Sequence, residues 1–582
     1  MRKSIISCLA TCAVSVLGKC YEPSPAFPVP SWTSNLAAKL RPTFDIIQER
    51  IQEIVSESKY DNTSYSVEVT SSTETLWGSW HTARNQNETR PGTRHVDASS
   101  QYRIASITKV FTVLAILHQQ KAGNLSLEAP VSQYISALNS PDYELPWKDI
   151  TLRALASQLS GIPREFAQGD ILNLVADPTT LGLPPVSQEN NLPACDEYNK
   201  YKPCNASDLL STLKNFSPLF APNQKSTYSN VNFELLGLVL ENVTGMPYED
   251  YITHAIFQPL NMTSSTLTTP PSDTHAVLPL VPPEGLYSEG GNYWDVDEGI
   301  QAPTGGIYSS STDMSAFLRY ILTHYNALAT GVNFLLPQSY GTGIHNAYGL
   351  PFEIFRTDTL LRPSTRRPVT FATKSGGLPG YYSLISLLDE YALGFTILVG
   401  GDAPLVPRIQ SLLAELLVPA AEQVIWNSID KTYTGHYRPV SPSLNSSLSL
   451  KTSPAKGLHL SHFISNSTDV LQALGGELGA AAGTPWHAQL IPTLLFEDEE
   501  NQQGEIWRVT AVNERTEDAE AGVWDEHCVT DVDVLRYAGQ PVTKVVFWHE
   551  KGVVELPAFQ LTLRRVPEGE GEEGLTVPKV DL

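Results

Sequence analysis

The run "RIASITKVFTVLAILHQQ", Arg103 to Gln120, constrains the fold more than any other segment. Its apolar residues recur with helical spacing and look made for burial, so other elements must enclose it. The mouth of this helix carries Ser106 and, one turn on, Lys109. That pair is either an ordinary helix start with a solvated lysine or a nucleophile with its activator. The pattern S-x-x-K alone does not decide, because it also occurs at Ser56, Ser211, Ser428 and Ser453. Position is more informative. A helix N-terminus offers unsatisfied N–H groups and a positive dipole end, which suit an oxyanion forming beside a nucleophile. Lys109 shares a helix face with Ser106. Among Phe111, Val113 and Leu114 its amine is expected to have a lowered pKa and to accept or relay a proton.

Two further segments supply partners. In "STYSNVNFELLG", Tyr228 and Asn230 stand two apart before a helix predicted from Val231 to Gly245. In an extended stretch both side chains face the same way; the alternative is a loop tyrosine followed by an N-capping Asn. In "FATKSGGLPGYYSLIS", Lys374 and Ser375 precede two glycines at the edge of a predicted core strand. Glycine there allows close approach to the backbone and frees an N–H for an oxyanion; the alternative is a hairpin with an exposed lysine.

S-x-x-K, Y-x-N and K-[ST]-G, in this order, resemble the serine β-lactamase and penicillin-binding-protein superfamily, in the flavour of class C β-lactamases and related esterases and D-peptidases. The phrases "LASQLSGIP", "ENVTGMPYEDYITHAIFQPLNMTSST" and "APTGGIYSSSTDMSAFL" resemble it too, and the likeness covers about Tyr65 to Trp426. The resemblance implies an α/β (α+β) fold, with an antiparallel sheet flanked by helices and an all-helical subdomain. It implies that Ser106 is the nucleophile of an acyl-enzyme, that Tyr228 is base and then acid, and that Lys109 shares the proton. Asn230, Lys374, Ser375 and Gly377 would bind substrate, with the oxyanion between the Ser106 and Gly377 N–H groups. Gln158 stands where a histidine is common, at a position that looks structural. Lys374 keeps a cation that many esterase relatives replace with histidine, which leans towards recognition of a carboxylate.

No metal or other cofactor is expected: there is no H-E-x-x-H, and the cysteines form no C-x-x-C. A Ser-His-Asp hydrolase is disfavoured because G-x-S-x-G is absent. An acyltransferase using the same residues, and a non-catalytic binding protein with a retained pocket, are the rival readings. The expected partner is a small-molecule ester, amide or lactam, acted on by a monomer.

The 582 residues exceed one small core. A formal charge of −23 repels polyphosphate, so nucleic-acid binding is not expected. Residues 1–18 read as a secretory leader, and no other run is apolar enough to span a bilayer. A catalytic domain is expected over 19–430. From 431 to 582 short strands such as "GEIWRVTAV" and "KVVFWHE" predict an all-β barrel or sandwich module, ending in an acidic tail. Within the catalytic region "YSVEVTSS" alternates as a strand, and Tyr381 to Gly401 reads as two antiparallel strands. "LRALASQLSGIPRE" reads as a helix closed by Gly161 and Pro163, "RIQSLLAELLVPAAEQVI" as an amphipathic helix, and Gln168 to Ser207 as an irregular insertion. Four cysteines remain after the leader; Cys195 and Cys204 flank a short polar loop and are paired here, leaving Cys20 with Cys528. Asn62, Asn87, Asn124, Asn205, Asn215, Asn242, Asn261, Asn445 and Asn466 each begin N-x-[ST], against roughly three expected by chance. The chain is therefore expected to be a secreted, extracellular glycoprotein.

Overall fold

The computed structural model describes residues 26–567, apart from 167–170, 172–174, 176, 186–194, 196–201, 281–292, 442–444, 516–521, 525–526, 529–531 and 534. The leader, Cys20 and the acidic tail lie outside the described residues. The chain divides into two compact units. One takes Ser31–Thr357 and Val369–Val418; the other takes residues 26–30, Asp358–Pro368 and 419–567.

The first unit is built on an antiparallel sheet of eight strands: β1 (Ser64–Ser71), β2 (Thr75–His81), β5 (Ser339–Tyr340), β6 (Asn346–Tyr348), β7 (Glu353–Thr357), β8 (Val369–Leu378), β9 (Tyr381–Leu388) and β10 (Leu393–Gly400). Their order is β2-β1-β10-β9-β8-β7-β6-β5. A separate ladder pairs β3 (Tyr102–Arg103) with β4 (Tyr308–Ser309). β1 and β10 are buried along their whole length, which suits central strands covered on both faces. The predicted pair across Tyr381–Gly401 is β9 and β10, joined by a turn at Asp389–Tyr391.

Six helices matter for the site: α1 (Arg41–Val55), α2 (Thr108–Lys121), α3 (Leu152–Ala156), α4 (Val231–Thr244), α5 (Ser311–His324) and α6 (Leu405–Leu412). α1 buries Phe44, Ile47, Ile51 and Val55, and Phe44 stacks on Trp77 of β2 with centroids 5.6 Å apart. α5 lies against β1, where the hydroxyls of Ser311, Thr312 and Ser315 donate to the buried Glu68 carboxylate at 2.8, 3.2 and 2.7 Å. A buried carboxylate is tolerated because donors surround it. α2 is the helix made for burial: every residue from Thr108 to Leu117 is buried. Even its hydroxyl is enclosed, since Thr112 Oγ1 donates to the Pro303 carbonyl at 2.7 Å.

Two predicted helices differ from expectation. The one in "LRALASQLSGIPRE" stops at Ala156. Gln158 and Gly161 have left-handed backbones, φ 62° and 75°, and the carbonyls of Gln158, Leu159 and Gly161 accept N–H groups from Thr227, Asn223 and Leu219 instead of continuing the helix. "RIQSLLAELLVPAAEQVI" is not one α-helix either. α6 passes into a π turn, Leu413–Leu417, before a second helix, Val418–Tyr433. Pro419 has no N–H to give the preceding turn and its ring crowds that turn's carbonyl, so the ladder widens there.

The second unit is β-rich. Strands run in the order 447–453, 435–439, 561–565, 553–556, 544–548, 503–513, 486–498 and 457–465, and the last pairs back with the first, closing an antiparallel ring. Closure removes the free edges that such short strands would otherwise expose. Trp507 and Phe547 pack on Tyr433 inside this unit, with ring centroids 5.2 and 4.9 Å away.

Candidate active site

The chain leaves β3 and turns sharply before α2. Ala105 takes φ 49°, a left-handed conformation that costs a non-glycine residue energy and tends to be kept where function needs it. A single 3₁₀ turn, Ala105–Ile107, follows. It holds Ser106 partly exposed between two buried neighbours. Lys109, fully buried, donates to Ser106 Oγ at 2.9 Å and to the Thr304 carbonyl at 2.9 Å. Burial holds its pKa below the ordinary lysine value, which Tyr228 partly opposes and Lys374 reinforces.

Tyr228 arrives from a loop and not from a strand. The carbonyl of Gln158 accepts the Thr227 N–H at 2.9 Å, and its side-chain Oε1 accepts from the Ser229 N–H at 2.8 Å and Asn232 Nδ2 at 3.0 Å. Gln158 thus grips the loop on either side of Tyr228, which is the structural role expected of its position. The phenol stands among Ser106, Lys109 and Lys374, and all three act on its charge. The two ammonium nitrogens stand 5.4 and 5.1 Å from its ring centroid. Burial pushes the Tyr228 pKa up, but the positive charges of Lys109 and Lys374 and the Ser106 contact outweigh it and bring the value to about 8.

Lys374 and Ser375 lie on β8, which does form a hairpin with β9, but the Lys374 side chain is buried, not exposed. Its ammonium donates to Glu353 Oε1 at 2.6 Å and to the Ser375 carbonyl at 2.8 Å. Ser375 gives both its N–H (3.1 Å) and its hydroxyl (2.9 Å) to Glu353 Oε2. Since the Ser375 N–H points away from β9, so does that of Gly377 two residues on. The first glycine of the pair has a steric reason: a Cβ at Gly376 would lie 2.4 Å from the Ile104 carbonyl oxygen and 3.0 Å from the Ser106 nitrogen. Only glycine lets β8 pack this closely on the nucleophile turn.

Asn230 does not cap α4; it has helical backbone angles and makes no capping bond. Its Nδ2 donates to Glu165 at 2.6 Å, while its Oδ1 is buried without a partner. A buried acceptor without a partner therefore lies two residues along the chain from Tyr228. The structure brings Ser106, Lys109, Tyr228 and Lys374 to one place, as a hydroxyl, two amines and a phenol able to exchange a proton.

Glu353, Glu165 and the Thr304 carbonyl were not legible as site groups. Glu353 carries no local motif and reaches Lys374 only because β7 pairs with β8 in the register Glu353 to Thr373. Thr304 lies inside "APTGG", a phrase that signals the family but not a role for a main-chain oxygen. Elsewhere, Cys195 and Cys204 form a disulfide, and Cys528 is disulfide-bonded while its expected partner Cys20 is outside the described residues. All nine sequon asparagines are exposed. Among the described residues no group of three or more His, Cys, Asp or Glu could hold a metal ion, and no helix is long and apolar enough to cross a membrane.

A family model described as Beta-lactamase matches residues 49–418, and one described as Beta-lactamase-like-like, C-terminal domain, matches residues 426–567. "Probable hydrolase M10" of Phoma sp. is 30% identical over 573 residues, covering 95% of this chain and 92% of that protein. "Probable hydrolase clz13" of Cochliobolus lunatus is 30% identical over 571 residues, covering 93% and 89%. "Beta-lactamase-like protein" of Arthroderma benhamiae is 30% identical over 529 residues, covering 84% and 85%. Among solved structures, a class C β-lactamase superposes with a TM-score of 0.48 at 17% identity, over 66% of this chain and 98% of that one.

Proposed function

The chain belongs to the β-lactamase family, and from that premise we propose that it is a secreted serine hydrolase cleaving an ester or amide bond through an acyl-enzyme on Ser106. The observation that carries this reading is Lys109 donating to Ser106 Oγ at 2.9 Å, with the Tyr228 ring 5.4 Å from that ammonium and 5.1 Å from Lys374, charges that draw the phenol's pKa down to about 8. At pH 7 about a tenth of such a group is phenolate, against about 0.1% for an ordinary tyrosine.

Acylation runs as follows. Tyr228 phenolate takes the Ser106 proton as Oγ bonds to the acyl carbon, with Lys109 holding Oγ through its hydrogen bond. The oxyanion rests on the N–H groups of Ser106 and Gly377. The bond to the leaving oxygen or nitrogen then breaks, and that atom takes the proton from Tyr228. In deacylation water attacks the acyl carbon, Tyr228 accepts its proton, and the proton passes to Ser106 Oγ as the acid departs. Asn230 Oδ1 accepts an N–H of the acyl side chain.

The first compact unit is the catalytic domain in this reading and the second a C-terminal addition. Secretion rests on residues 1–18, on the disulfide and on nine exposed sequons.

Labelling with a fluorophosphonate followed by peptide mapping tests the proposal. The adduct is expected on Ser106, and Ser106→Ala is expected to lose ester turnover with its melting temperature nearly unchanged. Failure of every acylating probe would support a binding protein instead. Adding an alcohol or amine to the hydrolysing reaction then separates hydrolysis from acyl transfer.

A further inference from the structure

On the second unit two histidines share one face of the β ring. His459, on strand 457–465, lies opposite Gln489 on strand 486–498, so His487, two residues before Gln489, is its diagonal neighbour on that face. Their ring centroids are 5.9 Å apart. The tautomer of each ring follows from its partner. His459 Nδ1 lies 3.0 Å from the Gly457 carbonyl oxygen, and His487 Nδ1 lies 3.0 Å from Glu514 Oε1. A carbonyl and an ionised carboxylate only accept, so in each neutral ring Nδ1 carries the proton and Nε2 keeps a lone pair. The Nε2 of His487 is buried with no hydrogen-bond partner, which is rare enough for a buried polar atom to need a reason.

We propose that His459 and His487 hold a divalent ion of the copper–zinc kind through their Nε2 atoms and so clip the two strands together. Two imidazoles on one ion, each at about 2.0–2.1 Å, have ring centroids about 5–6 Å apart, and the observed spacing falls in that range. Tying the far nitrogen to a carboxylate or carbonyl is how proteins orient a ligating imidazole. Lys456, close by, spends its charge on Glu514 at 2.5 Å. Both histidines line a cavity of about 720 Å³, with Leu460, Leu471, Trp486 and Ala488. That space admits the water needed to complete the ion's shell, since no third His, Cys, Asp or Glu joins the pair among the described residues. Imidazole nitrogens select late first-row ions over magnesium and calcium, which take oxygen. The ladder being clipped is short, pairing His459 with Gln489 and Leu460 with Ala488. The two ligands come from different strands, which is why no local metal motif announced them. The site lies wholly within the second unit and stands independently of the serine-hydrolase reading.

The test titrates the full chain, freed of metal with EDTA, with Cu(II), Zn(II) and Mg(II) by calorimetry at about pH 7.5, where an ordinary imidazole is mostly neutral. His459→Ala, His487→Phe and the double variant run beside it. Cu(II) is expected to bind more tightly than Zn(II), and Mg(II) not at all. Each single substitution is expected to weaken Cu(II) binding at this site at least about tenfold, and the double variant to abolish it. Electron spin resonance of the Cu(II) complex is expected to show coupling to two imidazole nitrogens. Protection from hydrogen exchange in 457–465 and 486–498 is expected to rise with the ion. Absence of Cu(II) and Zn(II) binding overturns the inference, as does binding that the double variant leaves unchanged. If a variant fails to fold by circular dichroism, the wild-type chain decides alone: a spectrum with fewer than two imidazole nitrogens, or unaltered exchange in both strands, overturns the inference.

Discussion

Replacing Lys374 by methionine tests the electrostatics on which the base depends. The ammonium stands 5.1 Å from the Tyr228 ring centroid. At about that separation and an effective dielectric of about 20, a unit charge stabilises the phenolate by about 3 kcal/mol, equivalent to about two pKa units. Removing it leaves burial unopposed except by Lys109 and the Ser106 contact, so the Tyr228 pKa rises from about 8 to about 10. Lys374 is charged across this range: burial pulls its pKa down, but Tyr228 and Glu353 more than compensate and hold it above the ordinary lysine value. In the wild type, kcat/KM for a neutral aryl ester should climb with pH through about 8. In Lys374→Met the climb should move up by about two units, with about a hundredfold loss at pH 7 that largely recovers by about pH 10. The variant strands Glu353 as an unpaired anion beside Tyr228, so Lys374→Met/Glu353→Gln is the cleaner comparison and should show the same upward shift. A loss equal at every pH, with the rise still near 8, would refute the argument and leave Lys374 a role in binding alone.

Three other perturbations have defined outcomes. Gly376→Ala sets a Cβ 2.4 Å from both the Ile104 oxygen and Ser383 Oγ; it should lose about 2 kcal/mol or more in a denaturant titration and most of its esterase activity. Gln158→Leu keeps the volume but deprives the Ser229 N–H and Asn232 of their acceptor. It should cost about 2–3 kcal/mol and lower kcat more than it raises KM, because Tyr228 is displaced. Glu234, on α4, is buried with neither carboxyl oxygen hydrogen-bonded, and burial, aided by Glu165, pushes its pKa well above the ordinary carboxylate value. A raised folded-state pKa destabilises progressively as pH climbs above the unfolded value of about 4.3 towards the folded one. Glu234→Met should therefore raise stability by about 1–3 kcal/mol at pH 8 and by less at pH 5, and a gain independent of pH would count against this reading.

The strand of "YSVEVTSS" and the apolar body of α2 were legible because alternation and apolar spacing are local properties; that both faces of β1 are buried, with Glu68 satisfied by hydroxyls of α5, was not. The disulfide between Cys195 and Cys204 was legible for a related reason, since close spacing in the chain limits how far apart the two can lie. The early stop of α3 was not. Its cause is the left-handed backbone of Gln158, whose carbonyl and side chain are engaged by the Thr227 and Ser229 N–H groups, far along the chain. The N-cap that was the alternative reading of Asn230 was not made: its backbone is already helical, and Glu165 holds its Nδ2.

By itself the sequence determined which groups are available: a serine one turn from a lysine, a phenol before a helix, and a lysine followed by glycines on a strand. Tertiary structure alone decided their charge partners. Glu353 meets Lys374 through strand register, and the buried charges of Lys109 and Lys374 near Tyr228 set which proton is loose. The register joins residues only 21 apart but depends on how the two strands align, and the burial arises from packing between segments more than a hundred residues apart; no local pattern records either.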